Sequence, residues 1–146
     1  MAKVYRSAVI AAPAKTVWDY VRDFNALPKW HPAIATSEIE AGSPADRVGC
    51  VRRFTRRSDG GLLREQLLAL SDAERTFTYS ILVSPMPVAN YTATMRFTPI
   101  TKGNLTFAEW WAEFDCAPDR EGQLSREIGQ GVFQAAFDTL KTLVRR

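Results

Sequence analysis

The sequence predicts an α+β fold in which an antiparallel sheet is covered on one face by a long C-terminal helix. Three observations carry that expectation. Five β-rich runs separated by turn signals follow one another between residues 48 and 116, an apolar stripe at helical spacing ends the chain, and short helical patterns separate the first β-rich run from the rest. With 146 residues, 46% of them hydrophobic, the chain is long enough for one domain with a substantial core, and residues 1–146 are expected to form it.

Residues 3–11 (KVYRSAVIA) read as a strand. Pro13 then suits a first helical turn, and Val17, Trp18, Tyr20, Val21 and Phe24 recur at helical spacing, which gives a short amphipathic helix. In NALPKWHPAI two prolines bracket Trp30 and His31, so this segment holds at most one helical turn before the chain becomes extended at 34–41. Strands are expected at 48–57, 62–70, 74–83, 89–100 and 104–116. The turns between them are Asp59-Gly60-Gly61, Ser71-Asp72, Ser84-Pro85-Met86-Pro87 and Lys102-Gly103-Asn104. Connections this short join antiparallel neighbours in a meander. After Pro118, the residues Ile128, Val132, Phe133, Ala136, Phe137, Leu140, Leu143 and Val144 make the apolar face of a long helix.

Alternation along a strand assigns faces. Arg96 belongs in solvent, so Tyr91, Ala93, Met95 and Phe97 face the helix, and in the preceding strand Phe77, Tyr79 and Ile81 do the same. In 104–116 two carboxylates mark the outer face, which puts Trp110 inside with Ala108, Ala112 and Phe114. Phe107 and Trp111 then become part-exposed aromatics of the kind that marks a subunit contact, and a homodimer through them is an expectation. Strand 62–70 reads either way by periodicity: if Leu63, Glu65 and Leu67 point inward, Glu65 is buried.

The totals exclude several classes of function. Nineteen Lys and Arg stand against sixteen Asp and Glu, and the net charge of +3 is scattered except for four arginines within 52–57, so nucleic acid is not an expected partner. One histidine and two cysteines outside any CxxC pair do not make a zinc site, and no metal or redox cofactor is implied. The segment MAKVYRSAVIAAPAKTVW is broken by Pro13 and Lys15 and does not read as a signal peptide, and no apolar run approaches the ~20 residues that span a bilayer. A cytoplasmic protein with free thiols and no stable membrane insertion is expected.

Six stretches in order, VWDYVRDFNALPKWHP, VGCVRRF, REQLLALSD, RTFTYSILVSPMPVANYTATMRFTP, LTFAEWWAEFD and IGQGVFQAAFDTLK, resemble the START/birch-pollen-allergen (SRPBCC) superfamily of helix-grip proteins, in particular its polyketide cyclase/dehydrase branch. The resemblance covers nearly the whole chain. It implies a seven-stranded curved antiparallel sheet around a long C-terminal helix, two short helices between strands 1 and 2, and an apolar cavity that takes a hydrophobic small molecule. Within the superfamily the plant lachrymatory-factor synthases are similar in GCVRRF, REQL, TYS and NYTAT, which carries a pocket arginine onto Arg52, a pocket glutamate onto Glu65 and pocket tyrosines onto Tyr79 and Tyr91. The loop between the Arg and Glu strands is shorter here, and the unusual sulfur substrate of those enzymes does not carry over.

On that reading Arg52 anchors a polar oxygen and stabilises developing negative charge, Glu65 transfers a proton, and Tyr79 and Tyr91 orient the ligand. The bland alternatives are a buried ion pair that fixes strand register, or two surface charges. Arg53, Arg56 and Arg57 read as a solvated strand face and turn. Phe24, Phe54, Phe77, Phe97, Trp110 and Phe133, together with Ile81 and Met95, are expected along the ligand cavity, although each also serves simply as core. Trp30 and His31 are expected near its mouth, His31 in a packing or gating role, and Gly131 is expected to give the ligand access to backbone. The resulting expectation is a cofactor-free cyclisation, dehydration or isomerisation of a hydrophobic compound. Its competitor is a non-catalytic carrier or sensor of lipids or other apolar small molecules.

Overall fold

The computed structural model describes residues 1–144. Seven strands form one antiparallel sheet in the spatial order β1-β7-β6-β5-β4-β3-β2. They are β1 (Ala2–Ile10), β2 (Ile34–Ile39), β3 (Val51–Arg56), β4 (Leu62–Ser71), β5 (Thr76–Val83), β6 (Ala89–Ile100) and β7 (Leu105–Asp115). Two short helices, α1 (Ala14–Val21) and α2 (Leu27–Trp30), lie between β1 and β2. The C-terminal helix runs without interruption through α3 (Glu121–Arg126), a π-helical stretch (Glu127–Gln134) and α4 (Ala135–Leu143). This is the helix-grip architecture, and the strands lie within a few residues of their expected positions.

The inner face follows the alternation. Buried residues occupy every second position: Phe54 on β3, Leu63 and Leu67 on β4, Phe77 and Tyr79 on β5, and Tyr91, Ala93, Met95 and Phe97 on β6. On β7, Ala108, Trp110, Ala112 and Phe114 are buried, while Phe107 and Trp111 are half-buried on the outer face. There the Trp111 ring stacks on Tyr5 of β1 at 6.4 Å, and the Tyr5 hydroxyl donates to Glu109 at 2.6 Å. Register shifts interrupt the β4–β5 ladder at Arg64/Glu65 and Leu67/Ala69 and the β6–β7 ladder between Ala89 and Thr92, and irregularities of this kind increase the local twist of a sheet. Trp110 stacks on Phe133 of the π-helical stretch at 4.3 Å and meets Phe137 at 6.0 Å, so one tryptophan joins the sheet to the helix.

Three local details depart from expectation. Pro13 sits one position before the helix, as its N-cap in extended conformation (φ −60°, ψ 146°), so the first helical residue is Ala14. The C-terminal helix begins before the apolar stripe, at Glu121, and contains the π-helical stretch that the spacing of apolar residues did not reveal. Leu143, placed on the apolar stripe by its spacing, is 40% exposed. Trp18 of α1 lies against Phe77 and Phe97 and donates its indole N–H to Asp72 at 2.7 Å, a carboxylate also held by Arg22 at 2.8 Å. Those contacts dock α1 across the turn that follows β4.

Candidate functional site

The β3–β4 hairpin brings two charges inside. Arg56 N–H donates to Gly61 C=O at 2.9 Å, Asp59 accepts from the backbone N–H of Gly61, and Gly60 takes φ +70°, a conformation that glycine adopts at no steric cost. This turn fixes the register in which Arg52 pairs directly with Glu65 and Phe54 with Leu63. Alternation then turns Arg52 and Glu65 to the same inner face, where they are 2% and 5% exposed. Glu65, left open by periodicity, is therefore buried.

The pair is bonded asymmetrically. Arg52 donates from Nε (2.9 Å) and Nη2 (2.6 Å) to the same carboxylate oxygen, Glu65 Oε1, and from Nη1 to the carbonyl of Phe24 at 3.1 Å. The guanidinium lies over the Phe24 ring at 3.9 Å, with the Tyr79 and Phe54 rings at 5.0 and 5.5 Å. Aromatic faces of this kind favour a cation withdrawn from water. Glu65 Oε2 accepts no hydrogen bond among the described residues. Burial pushes the Glu65 carboxyl above its ordinary value, and the adjacent Arg52 cation opposes that rise.

A cavity of about 80 Å³ opens beside this pair. Tyr79, Tyr91, Phe54, Ile81 and Trp110, all expected at a ligand site, form part of its wall together with Arg52, Glu65 and His31. The Tyr79 hydroxyl accepts the Trp110 indole N–H at 3.2 Å, and burial holds both Tyr79 and Tyr91 well above the ordinary phenol range. Both phenols therefore keep their protons, and they hydrogen-bond each other. Phe24, Trp30, Phe77, Met95, Phe97 and Phe133 are buried behind the wall and support it without lining it. Gly131 is a correction: it is exposed and has no neighbour within 4 Å of where a Cβ would stand, so it gives no access to the cavity. From this stretch it is Val132, on the apolar stripe, that lines the cavity.

Sequence reasoning missed Leu27, Ala33, Ile34, Leu63, Met86 and Val132 on the wall, and it put Arg56 wholly in solvent although its stem reaches the cavity edge. Ala33, Arg56, Ile81, Met86 and Val132 are half-buried members of this lining. Leu63 was legible, since it shares parity with Glu65. Met86 follows from no periodicity because it sits in the Ser-Pro-Met-Pro turn, where Met86 N–H donates to Ser84 Oγ at 3.1 Å.

His31 is held by the geometry of two prolines. Pro28 lies in the first turn of α2, His31 caps that turn by donating its N–H to Leu27 C=O at 2.9 Å, and Pro32 prevents continuation. Arg57 clamps the following loop by donating to the carbonyls of Pro32 and Ile34, each at 3.2 Å, and its N–H donates to Ala33 C=O at 2.7 Å. Burial, reinforced by the nearby Arg52 cation, lowers the His31 pKa from 6.5 to about 4. His31 is thus neutral at pH 7 on the cavity wall.

Among the described residues no group of three or more His, Cys, Asp or Glu side chains is placed to hold a metal ion, and no helix is long and apolar enough to cross a membrane. A comparison with curated proteins finds no match. Solved structures do match. The protein XoxI from Bacillus cereus is 29% identical with a TM-score of 0.86, the match covering 99% of this chain and 96% of that one. A protein from Thermobifida fusca is 31% identical with a TM-score of 0.87, covering 97% of this chain and 91% of the other. Norcoclaurine synthase from Thalictrum flavum, solved with dopamine and hydroxybenzaldehyde, has a TM-score of 0.75 at 18% identity, covering 97% of this chain and 85% of that one, and shares the fold. Residues 1–145 match the model of the family described as polyketide cyclase / dehydrase and lipid transport, and the chain belongs to that family.

Proposed function

We propose that this protein binds a compact hydrophobic compound bearing a polar oxygen, and that Glu65 moves a proton on it in a cofactor-free cyclisation, dehydration or isomerisation. One observation carries the reading: a buried carboxylate on the wall of an apolar cavity has one oxygen held by Arg52 and the other without a protein partner. A carboxylate that served only to fix strand register gains nothing from standing at a cavity. Arg52 orients Glu65 and moderates its pKa, and Tyr79 and Tyr91 offer the ligand donors. Family membership and the fold shared with norcoclaurine synthase support the choice of a small hydrophobic ligand.

A carrier is the second reading, favoured by the commitment of Arg52 to protein partners: Nε, Nη1 and Nη2 all donate within the fold. Glu65→Gln separates the two. As a catalyst, the protein loses turnover of an identified substrate in this variant and binds it within a few-fold of the wild type. Unchanged turnover in Glu65→Gln defeats the proton-transfer role, and ligand binding without turnover in the wild type supports the carrier.

A further inference from the structure

One polar group on the cavity wall has no role in the account above. His31 is 3% exposed, and its two ring nitrogens differ. Nδ1 accepts the backbone N–H of Ala33 at 3.2 Å, so it carries no proton. A neutral imidazole must then carry its proton on Nε2. That nitrogen is buried and makes no hydrogen bond of good geometry; the backbone carbonyl of Val132, also on the cavity wall, is a weak partner. A buried donor so weakly paired is costly, and the fold holds this one firmly: the α2 turn, Pro32 and the Arg57 clamp all fix the ring. The ring borders the cavity, and with Nδ1 turned back to the backbone, Nε2 lies on its opposite edge.

We propose that His31 is the specificity-determining contact of the cavity, donating Nε2–H to the carbonyl oxygen of the ligand and so selecting small apolar ketones or aldehydes over hydrocarbons of the same shape. The inference rests on the cavity reading above. The carbonyl is the acceptor that fits: it offers lone pairs without a competing proton and without the charge that an apolar wall excludes. Arg52 does not fill this role, because it is already bonded to Glu65 and Phe24. A neutral histidine is the appropriate partner for a neutral carbonyl, since it gives a hydrogen bond without placing a second cation beside Arg52.

The cavity of about 80 Å³ sets the size of the probes. Cyclopentanone and methylenecyclopentane have nearly the same shape and differ in one acceptor atom. His31 is the only histidine, so its ring nitrogens are read without ambiguity in 15N-labelled protein. At neutral pH Nε2 is expected to be protonated and Nδ1 not. Cyclopentanone is expected to shift the Nε2–H signal, and methylenecyclopentane to leave it nearly in place. In His31→Phe the affinity for cyclopentanone falls about tenfold relative to that for methylenecyclopentane, the loss of one well-placed hydrogen bond. Should His31→Phe fail to fold, the wild-type nitrogen shifts alone decide. An Nε2–H that does not respond to cyclopentanone, or equal losses for both probes, overturns the role of His31 and leaves the cavity standing. Failure of both probes to bind the wild type overturns the cavity reading and this inference with it.

Discussion

Acidification is expected to destabilise this protein through a single side chain. His31 has a pKa of about 4 in the folded protein and about 6.5 when exposed. Between those values the unfolded chain binds the proton that the folded chain refuses, so stability rises with pH across the window and is lost as pH falls from 6.5 toward 4. Relative to pH 7, the loss comes to about 2 kcal/mol at pH 5 and about 3 kcal/mol at pH 4, from 1.36 kcal/mol per pKa unit. With a urea m-value of about 2 kcal/mol per M for a protein of this size, the midpoint drops by about 1 M between pH 7 and pH 5. Surface carboxylates also titrate on the way down, so the assay compares urea unfolding of the wild type and His31→Phe at both pH values. The wild type is expected to lose about 2 kcal/mol more than the variant by pH 5. Parallel losses in the two proteins, or a His31 resonance that titrates near its ordinary value, refute the burial argument.

Other perturbations follow from the same geometry. Arg52→Leu and Glu65→Leu each leave an uncompensated buried charge or its protonated remnant and are expected to cost about 3–5 kcal/mol singly, whereas the double replacement is expected to lie much closer to the wild type in urea unfolding. Two additive single losses contradict the pairing. Gly131→Ala places a methyl group in open space on a helix and is expected to raise stability by about 0.5–1 kcal/mol with no change in ligand affinity; a loss of affinity returns Gly131 to the site.

The parts of the molecule that were legible in the sequence share one physical basis. Strand alternation specified which residues of β5 and β6 look inward; in β4 it left two choices, and the register across the two-glycine turn, which buries Phe54 with Leu63, buries Arg52 with Glu65. The carboxylates Glu109 and Glu113 told the two faces of β7 apart and so placed Trp110 inside. Gly131 failed because its expected role came from the backbone freedom of glycine, which assigns no face; the helical spacing had already put Val132 and Phe133 inside, and they are half-buried and buried there. Two lining residues were not legible either: Ala33 and Met86 come from loops, where no period exists to assign a face. The weakly paired Nε2 of His31 depends on which backbone N–H the other ring nitrogen meets, a matter of loop geometry that residue identity does not disclose.

The central claim is that the space between the sheet and the C-terminal helix, beside Glu65, is a ligand site. A crystal structure of the wild-type protein soaked with cyclopentanone tests it most directly. The account predicts density for the ketone inside the cavity, bounded by Glu65, His31, Tyr79 and Trp110, with the ring on the apolar wall. A cavity left without ketone density in crystals that carry the ketone elsewhere, or Glu65 turned away from it to a partner in the protein, contradicts the claim.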